Sequence, residues 1–193
     1  MDTPSLNVAQ TLERSSVNGP GERFVVWVQG CSLRCPGCWN PDTWSARRRR
    51  VVSCEALAQQ ISETPGIEGV SLTGGEPFEQ AASLAWLARQ VRARGLSVVA
   101  FSGYSLRELT SADQRALVDC CDVLIAGRYV AARRSTALRW RGSSNQRVHF
   151  LSERYSEADF SEAGEFEVHI TAEGVTLTGF PPAELISARM LRD

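Results

Sequence analysis

The chain has 193 residues and a formal net charge of −1, a length that suits one domain able to bury its own core. Near-neutral charge gives no global pull toward nucleic acid or an anionic membrane, and six cysteines are too few for a disulfide scaffold of this length. The opening stretch MDTPSLNVAQTLERSS lacks a basic start followed by an apolar run, so no secretory signal is expected. The longest apolar runs, such as Val25-Val26-Trp27-Val28, fall far short of a membrane span. The expectation is a cytoplasmic protein with reduced thiols.

In chain order, Phe24 to Gln29 is β-branched and aromatic and ends at Gly30, which predicts a buried strand. Ser53 is a helix cap, with Leu57, Ala58 and Ile61 on one face of a helix that Pro65-Gly66 stops. Ile67 to Thr73 reads as a strand running into Gly74-Gly75-Glu76-Pro77. A helix is predicted from Phe78 to Arg94, with Leu84, Leu87 and Val91 at three-to-four spacing. Leu96 to Phe101 is a third strand, followed by Ser102-Gly103-Tyr104. Leu106 to Cys120 reads as a helix and Asp122 to Ala126 as a fourth strand. Arg128 to Gln146 is basic and loop-like. Phe166 to Thr171 and Val175 to Phe180, around Ala172-Glu173-Gly174, predict a hairpin. Alternating strands and helices imply a parallel α/β sheet with right-handed crossovers.

Three chemically loaded segments follow successive predicted strands, the end at which sites assemble in parallel α/β sheets. The first is Gly30-Cys31-Ser32-Leu33-Arg34-Cys35-Pro36-Gly37-Cys38-Trp39-Asn40-Pro41. Its spacing is C-x3-C-x2-C, with no fourth cysteine nearby. Thiolates favour zinc and iron–sulfur clusters. A structural zinc wants four ligands, and would have to recruit Cys54, His149 or His169. A cubane cluster held by Cys31, Cys35 and Cys38 alone would leave one iron open to a ligand.

The second segment, Gly74-Gly75-Glu76-Pro77, removes two side chains where backbone can approach a ligand, and Pro77 suits a first helical position. It also fits a bare strand-to-helix turn. In the third, Ser102 can bond a ribose or a carboxylate, or belong to the entry of a helix capped by Ser105. Trp39 can border a ligand or serve as a core or partner-facing ring. Cys54, Cys120 and Cys121 read as packing residues, and His149 and His169 as structural histidines. Arg47 to Arg50 is read as a solvated run, or a grip on an acidic partner or phosphate.

The cysteine loop, Gly19-Pro20-Gly21-Glu22-Arg23, Leu72-Thr73-Gly74-Gly75-Glu76-Pro77, Ser102-Gly103-Tyr104 and Arg141-Gly142-Ser143-Ser144-Asn145-Gln146-Arg147 together resemble the radical S-adenosylmethionine superfamily. They are most similar to the branch that activates anaerobic (class III) ribonucleotide reductase. The resemblance spans about residues 17–147, and residues after about Phe150 match nothing in that branch. It implies a single-domain partial (β/α) barrel, with a core over 17–147 and a C-terminal hairpin extension over 148–193.

The implied cofactors are a [4Fe-4S] cluster on Cys31, Cys35 and Cys38 and S-adenosylmethionine seated by Gly37, Trp39, Gly74, Gly75, Glu76 and Ser102. Many members carry an aromatic before the third cysteine; Gly37 stands there instead, as in the activase branch. The implied reaction is one-electron cleavage of the sulfonium to methionine and a 5′-deoxyadenosyl radical, which takes a hydrogen atom from a glycine of a partner enzyme. The implied partners are that glycyl radical enzyme and a flavodoxin or ferredoxin reductant. Two alternatives stand beside this: radical modification of a small molecule or peptide, and a non-enzymatic zinc or electron-transfer module.

Overall fold

The computed structural model describes residues 3–160, 165–171 and 174–182. Four parallel strands form the centre of the molecule. They are β2 (Arg23–Val28), β4 (Gly69–Gly74), β5 (Ser97–Ser102) and β6 (Val123–Ala126), side by side in that order. β2 and β6 are buried along their whole length, as expected of strands covered on both faces. Helices α1 (Cys54–Glu63), α2 (Ala81–Arg92) and α3 (Ala112–Val118) supply the crossovers.

The local signals explain the helices. Ser53 accepts a hydrogen bond from the Ala56 amide, and Leu57, Ala58 and Ile61 of α1 are buried. Leu84, Leu87 and Val91 of α2 join the same core. A side chain of that size contributes about 1.5–3 kcal/mol when fully buried. Pro77 opens a 3-10 turn, Pro77–Gln80, before α2 begins at Ala81. The helix predicted over Leu106 to Cys120 is two pieces. A 3-10 turn spans Leu106–Glu108, and Ser111 caps a separate α3 by accepting from the Gln114 amide. Ser105 and Ser111 both offer cap oxygens, so the chain restarts rather than continues.

Three sheet strands carry weak sequence signals. β1 (Ser5–Ser15) pairs antiparallel with both β2 and β3 (Arg50–Ser53), and β7 (Arg147–Phe150) pairs antiparallel with β6. Only Leu6 and Val8 mark β1 as apolar on one face, and Asn7, Gln10, Glu13 and Arg14 are poor strand formers. Its pairing comes from two neighbours rather than from its own residues. The sheet thus runs β3-β1-β2-β4-β5-β6-β7 with two free edges. Arg50 lies in edge strand β3, where charge discourages further pairing.

The hairpin strands β8 (Phe166–Thr171) and β9 (Gly174–Gly179) form a separate two-stranded sheet. Ala172 and Glu173 of its expected turn lie outside the described residues. Cross-strand partners fall into two sets. Val168–Leu177 and Ile170–Val175 share one face, and Glu167–Thr178 and His169–Thr176 the other. The polar set holds the hairpin to the body: Glu167 accepts from the Ser16 amide and hydroxyl, Gln10 donates to Thr176, and Asn18 to Thr178. Ile170, 79% exposed, faces away.

Candidate functional site

At the C-terminal ends of the parallel strands lies one cavity. Its lining includes every residue to which a site role was assigned from sequence: Cys31, Cys35, Gly37, Cys38, Trp39, Gly74, Gly75, Glu76 and Ser102. The cysteine loop springs from the end of β2 and is tied at its base. The Gly30 amide donates to the Thr43 carbonyl at 2.7 Å, and the Cys31 amide to the Trp44 carbonyl at 3.1 Å. Gln29 reaches across with its side-chain amide to the Asp42 and Ser45 carbonyls. Glu79 accepts from both the amide and the hydroxyl of Ser32, at 2.8 and 2.5 Å.

Within the loop, Arg34 (φ 45°) and Gly37 (φ 72°) adopt left-handed backbone. The Cys38 amide bonds the Cys35 carbonyl, and the Asn40 amide points at Cys38 Sγ from 3.4 Å. All three thiols are free and half-buried. Burial pushes the Cys31 thiol up, partly opposed by the amides of Arg34 and Leu33 and reinforced by Glu76 and Glu79. Among the described residues no three His, Cys, Asp or Glu side chains are arranged to hold one metal ion.

The other three cysteines have packing roles. Cys54 Sγ contacts the Ser83 carbonyl and Cys121 Sγ the Leu117 carbonyl, and both are buried, as is Cys120. His149 lies in β7, and His169 pairs with Glu167 at 2.9 Å. None of the residues available as a fourth zinc ligand lines the cavity.

The glycine turn has a packing reason as well. A side chain on Gly74 would put its Cβ 2.6 Å from the Trp27 Cα, and one on Gly75 would collide with the Gly30 carbonyl. The glycines therefore let the turn press against β2 and the root of the cysteine loop. Two hydrogen bonds lock that contact, Gly75 amide to Val28 carbonyl and Glu76 amide to Gly30 carbonyl, each 2.8 Å.

The Glu76 carboxylate is 1% exposed and already has three donors: the Phe78 amide at 3.0 Å, the Ser102 hydroxyl at 2.9 Å and the Gly103 amide at 2.8 Å. Burial nonetheless outweighs them and pushes the carboxyl up to about 7. Ser102 Oγ also accepts from the Tyr104 amide at 3.0 Å. Glu76 and Ser102 thus form a strut joining the ends of β4 and β5.

Several lining residues carried no assigned site role in the sequence reading, although Gln146 belongs to the string Arg141 to Arg147 that carries the family resemblance. Tyr129, Trp140 and Gln146 come from the basic loop, and Leu177, Phe180 and Pro181 from the end of the hairpin. Gly37 explains part of this. A Cβ there would stand 3.2 Å from the Ala131 Cβ and 3.7 Å from the Tyr129 ring, so the basic loop occupies the space an aromatic at 37 would need. Arg134 donates to the Pro181 carbonyl at 2.5 Å, linking that loop to the hairpin. No local spacing announces these residues, because each arrives from a distant segment.

The family model described as a 4Fe-4S single cluster domain matches residues 17–149. The chain is similar to the anaerobic ribonucleoside-triphosphate reductase-activating protein of Escherichia coli (strain K12), 35% identical over 154 residues, covering 76% of this chain and 99% of that protein. The protein of the same name from Salmonella typhimurium is 36% identical over 143 residues, covering 70% and 92%. The one from Enterobacteria phage T4 is 34% identical over 139 residues, covering 68% and 86%. The family match ends at residue 149, within β7 and ahead of β8, which begins at Phe166.

Proposed function

This chain belongs to the 4Fe-4S single cluster domain family, alongside the anaerobic ribonucleoside-triphosphate reductase-activating proteins, and from that premise we propose that it is a radical S-adenosylmethionine enzyme that activates a glycyl radical reductase. The observation carrying this reading is the meeting of Cys31, Cys35 and Cys38 with the Gly74–Glu76 turn and Ser102 on one cavity that no fourth described cysteine enters. The donor set fits a [4Fe-4S] cluster with one iron free of protein: three accessible thiols, soft and unpaired, with an amide hydrogen bond at Cys38 of the kind that tunes cluster potential.

A cluster held by Cys31, Cys35 and Cys38 would supply the one electron needed to cleave the sulfonium C–S bond of S-adenosylmethionine to methionine and a 5′-deoxyadenosyl radical, which would remove a hydrogen atom from a partner glycine. The protein's own part is placement. The turn at Gly74 and Gly75 presents backbone to the cofactor, Trp39 and Gly37 border it, and the Glu76–Ser102 strut holds the turn in register with the loop. Glu76 acts through its neighbours, since its carboxylate oxygens are already occupied by Phe78, Ser102 and Gly103. Leu177, Phe180 and Pro181 wall the cavity and keep water from the radical. The open-edged sheet suits a partial barrel whose mouth admits a glycine loop, and a flavodoxin or ferredoxin is the expected electron source. Among the described residues no helix is long and apolar enough to cross a membrane.

Anaerobic reconstitution tests the reading. The expected result is about four irons with matching sulfide per chain, S-adenosylmethionine cleavage under dithionite, and a glycyl doublet in electron paramagnetic resonance on mixing with the reductase. A single tightly held divalent ion, or a cluster that leaves S-adenosylmethionine intact, overturns it. Cleavage without a doublet would redirect the reading to a small-molecule or peptide substrate.

A further inference from the structure

The string Arg141 to Arg147 has two kinds of residue. Ser143, Asn145 and Gln146 hold the basic loop together. The Ser143 hydroxyl accepts from the Val130 amide, Asn145 donates to the Arg128 carbonyl, and Gln146 accepts from the Gly142 and Ser143 amides and donates to the Gly127 carbonyl. Arg141 and Arg147 do none of this. With Arg133 they line a second cleft, about 810 Å³, next to the cysteine cavity; Gln146 lines both.

Among the described residues no carboxylate forms a salt bridge with any of these three guanidinium groups. Glu157 is the one acidic residue in the lining, against three arginines. His149, also in the cleft, is held below its ordinary value by burial and by the Arg147 charge beside it, a sign of a positive field. The wall also carries Phe150 and Phe160, packed edge-to-face at 5.2 Å.

A ligand that fits this cleft must bring several anionic oxygens for the arginines and a flat or apolar part for the phenylalanines. Guanidinium groups bind phosphate oxygens bidentately and strongly, and the volume lies in the usual range of small-molecule sites. An acidic peptide would satisfy the arginines but leave the aromatic wall unused. We propose that Arg133, Arg141 and Arg147, with Phe150 and Phe160, bind a nucleoside polyphosphate beside the cysteine cavity. Because Gln146 belongs to both linings, an occupied cleft would steady the wall of the neighbouring site.

Isothermal titration of the full chain with ATP, with tripolyphosphate and with a ten-residue glutamate peptide tests this. The expected result is one saturable ATP site per chain. Affinity should fall about tenfold or more, the loss of one strong contact, in both Arg141→Gln and Arg147→Gln, and tripolyphosphate should bind more weakly than ATP. Arg147 is exposed, so its replacement leaves the fold intact even if the half-buried Arg141 position does not tolerate change. No saturable ATP binding, or unchanged affinity in the Arg147→Gln protein, overturns the proposal. Tripolyphosphate binding as tightly as ATP removes the nucleoside from it, and arginine-dependent binding of the peptide alone assigns the cleft to an acidic protein partner.

Discussion

The two ends of the parallel strands are built on opposite principles. At the N-terminal end, Arg23 is wholly buried, and its guanidinium donates to the Ser71 and Ser97 hydroxyls, the Pro20, Val70 and Ser97 carbonyls and the Tyr155 hydroxyl. Tyr155 in turn donates to Glu68. Burial lowers the Arg23 pKa, while Tyr155 and Glu68 counter it. Every polar group there is answered from inside the protein. At the C-terminal end the polar frame is equally complete around Glu76, but the thiols of Cys31, Cys35 and Cys38 are left free on top of it. The buried charge network and the proposed site thus lie at opposite ends, the division expected of parallel α/β folds. The Glu76 strut gives the cavity end a rigid floor of its own.

The sharpest break in that contrast is Cys35→Ala. Iron and sulfide content after reconstitution should drop to near nothing and S-adenosylmethionine cleavage should vanish. Unfolding free energy should stay within about 0.5 kcal/mol of the parent, as for a replacement outside the core. Retained cleavage would show that the loop is not the cluster site. Arg23→Met should do the reverse. Removing one member of a buried charged network costs about 3–5 kcal/mol, read in urea unfolding, while the fraction that remains folded takes up iron normally. A loss of iron uptake matching the loss of stability would erase the division between the ends.

Glu76 gives the smallest and most pH-dependent effect. Its carboxyl ionises near its ordinary value in the unfolded chain but only at about 7 in the folded one. Between those values the folded protein keeps a proton that the unfolded chain has lost. Stability present below about pH 4.5 should therefore decline as pH rises through about 7, by about 3 kcal/mol in all. Glu76→Gln, which cannot ionise, should flatten that slope. An unchanged slope in the variant would mean that another group controls the window. A cation seated in the cavity should move the slope to lower pH.

Much of the site was legible because its chemistry is local. Three cysteines within eight positions, two adjacent glycines and the serine ending a strand each announce themselves, and the strand-then-loop rhythm places them at one end of one sheet. The packing reason for the glycines was not legible. Their missing side chains make room for Trp27 and the Gly30 carbonyl, residues more than forty positions away. Nor could the sequence reveal that Glu76 was already satisfied, since two of its three donors come from β5 and the residue after it.

By itself the sequence determined the central parallel strands, the caps of α1, the loop that offers three thiols and the amphipathic hairpin. These follow from hydrophobic period, cap chemistry and spacing, which act over a few residues. Only the tertiary structure decided that β1 joins the sheet between β3 and β2 and that residues near Pro181 wall the site. Those outcomes depend on hydrogen bonds and packing between segments far apart in the chain, and no local pattern encodes which distant neighbour will supply the missing partner.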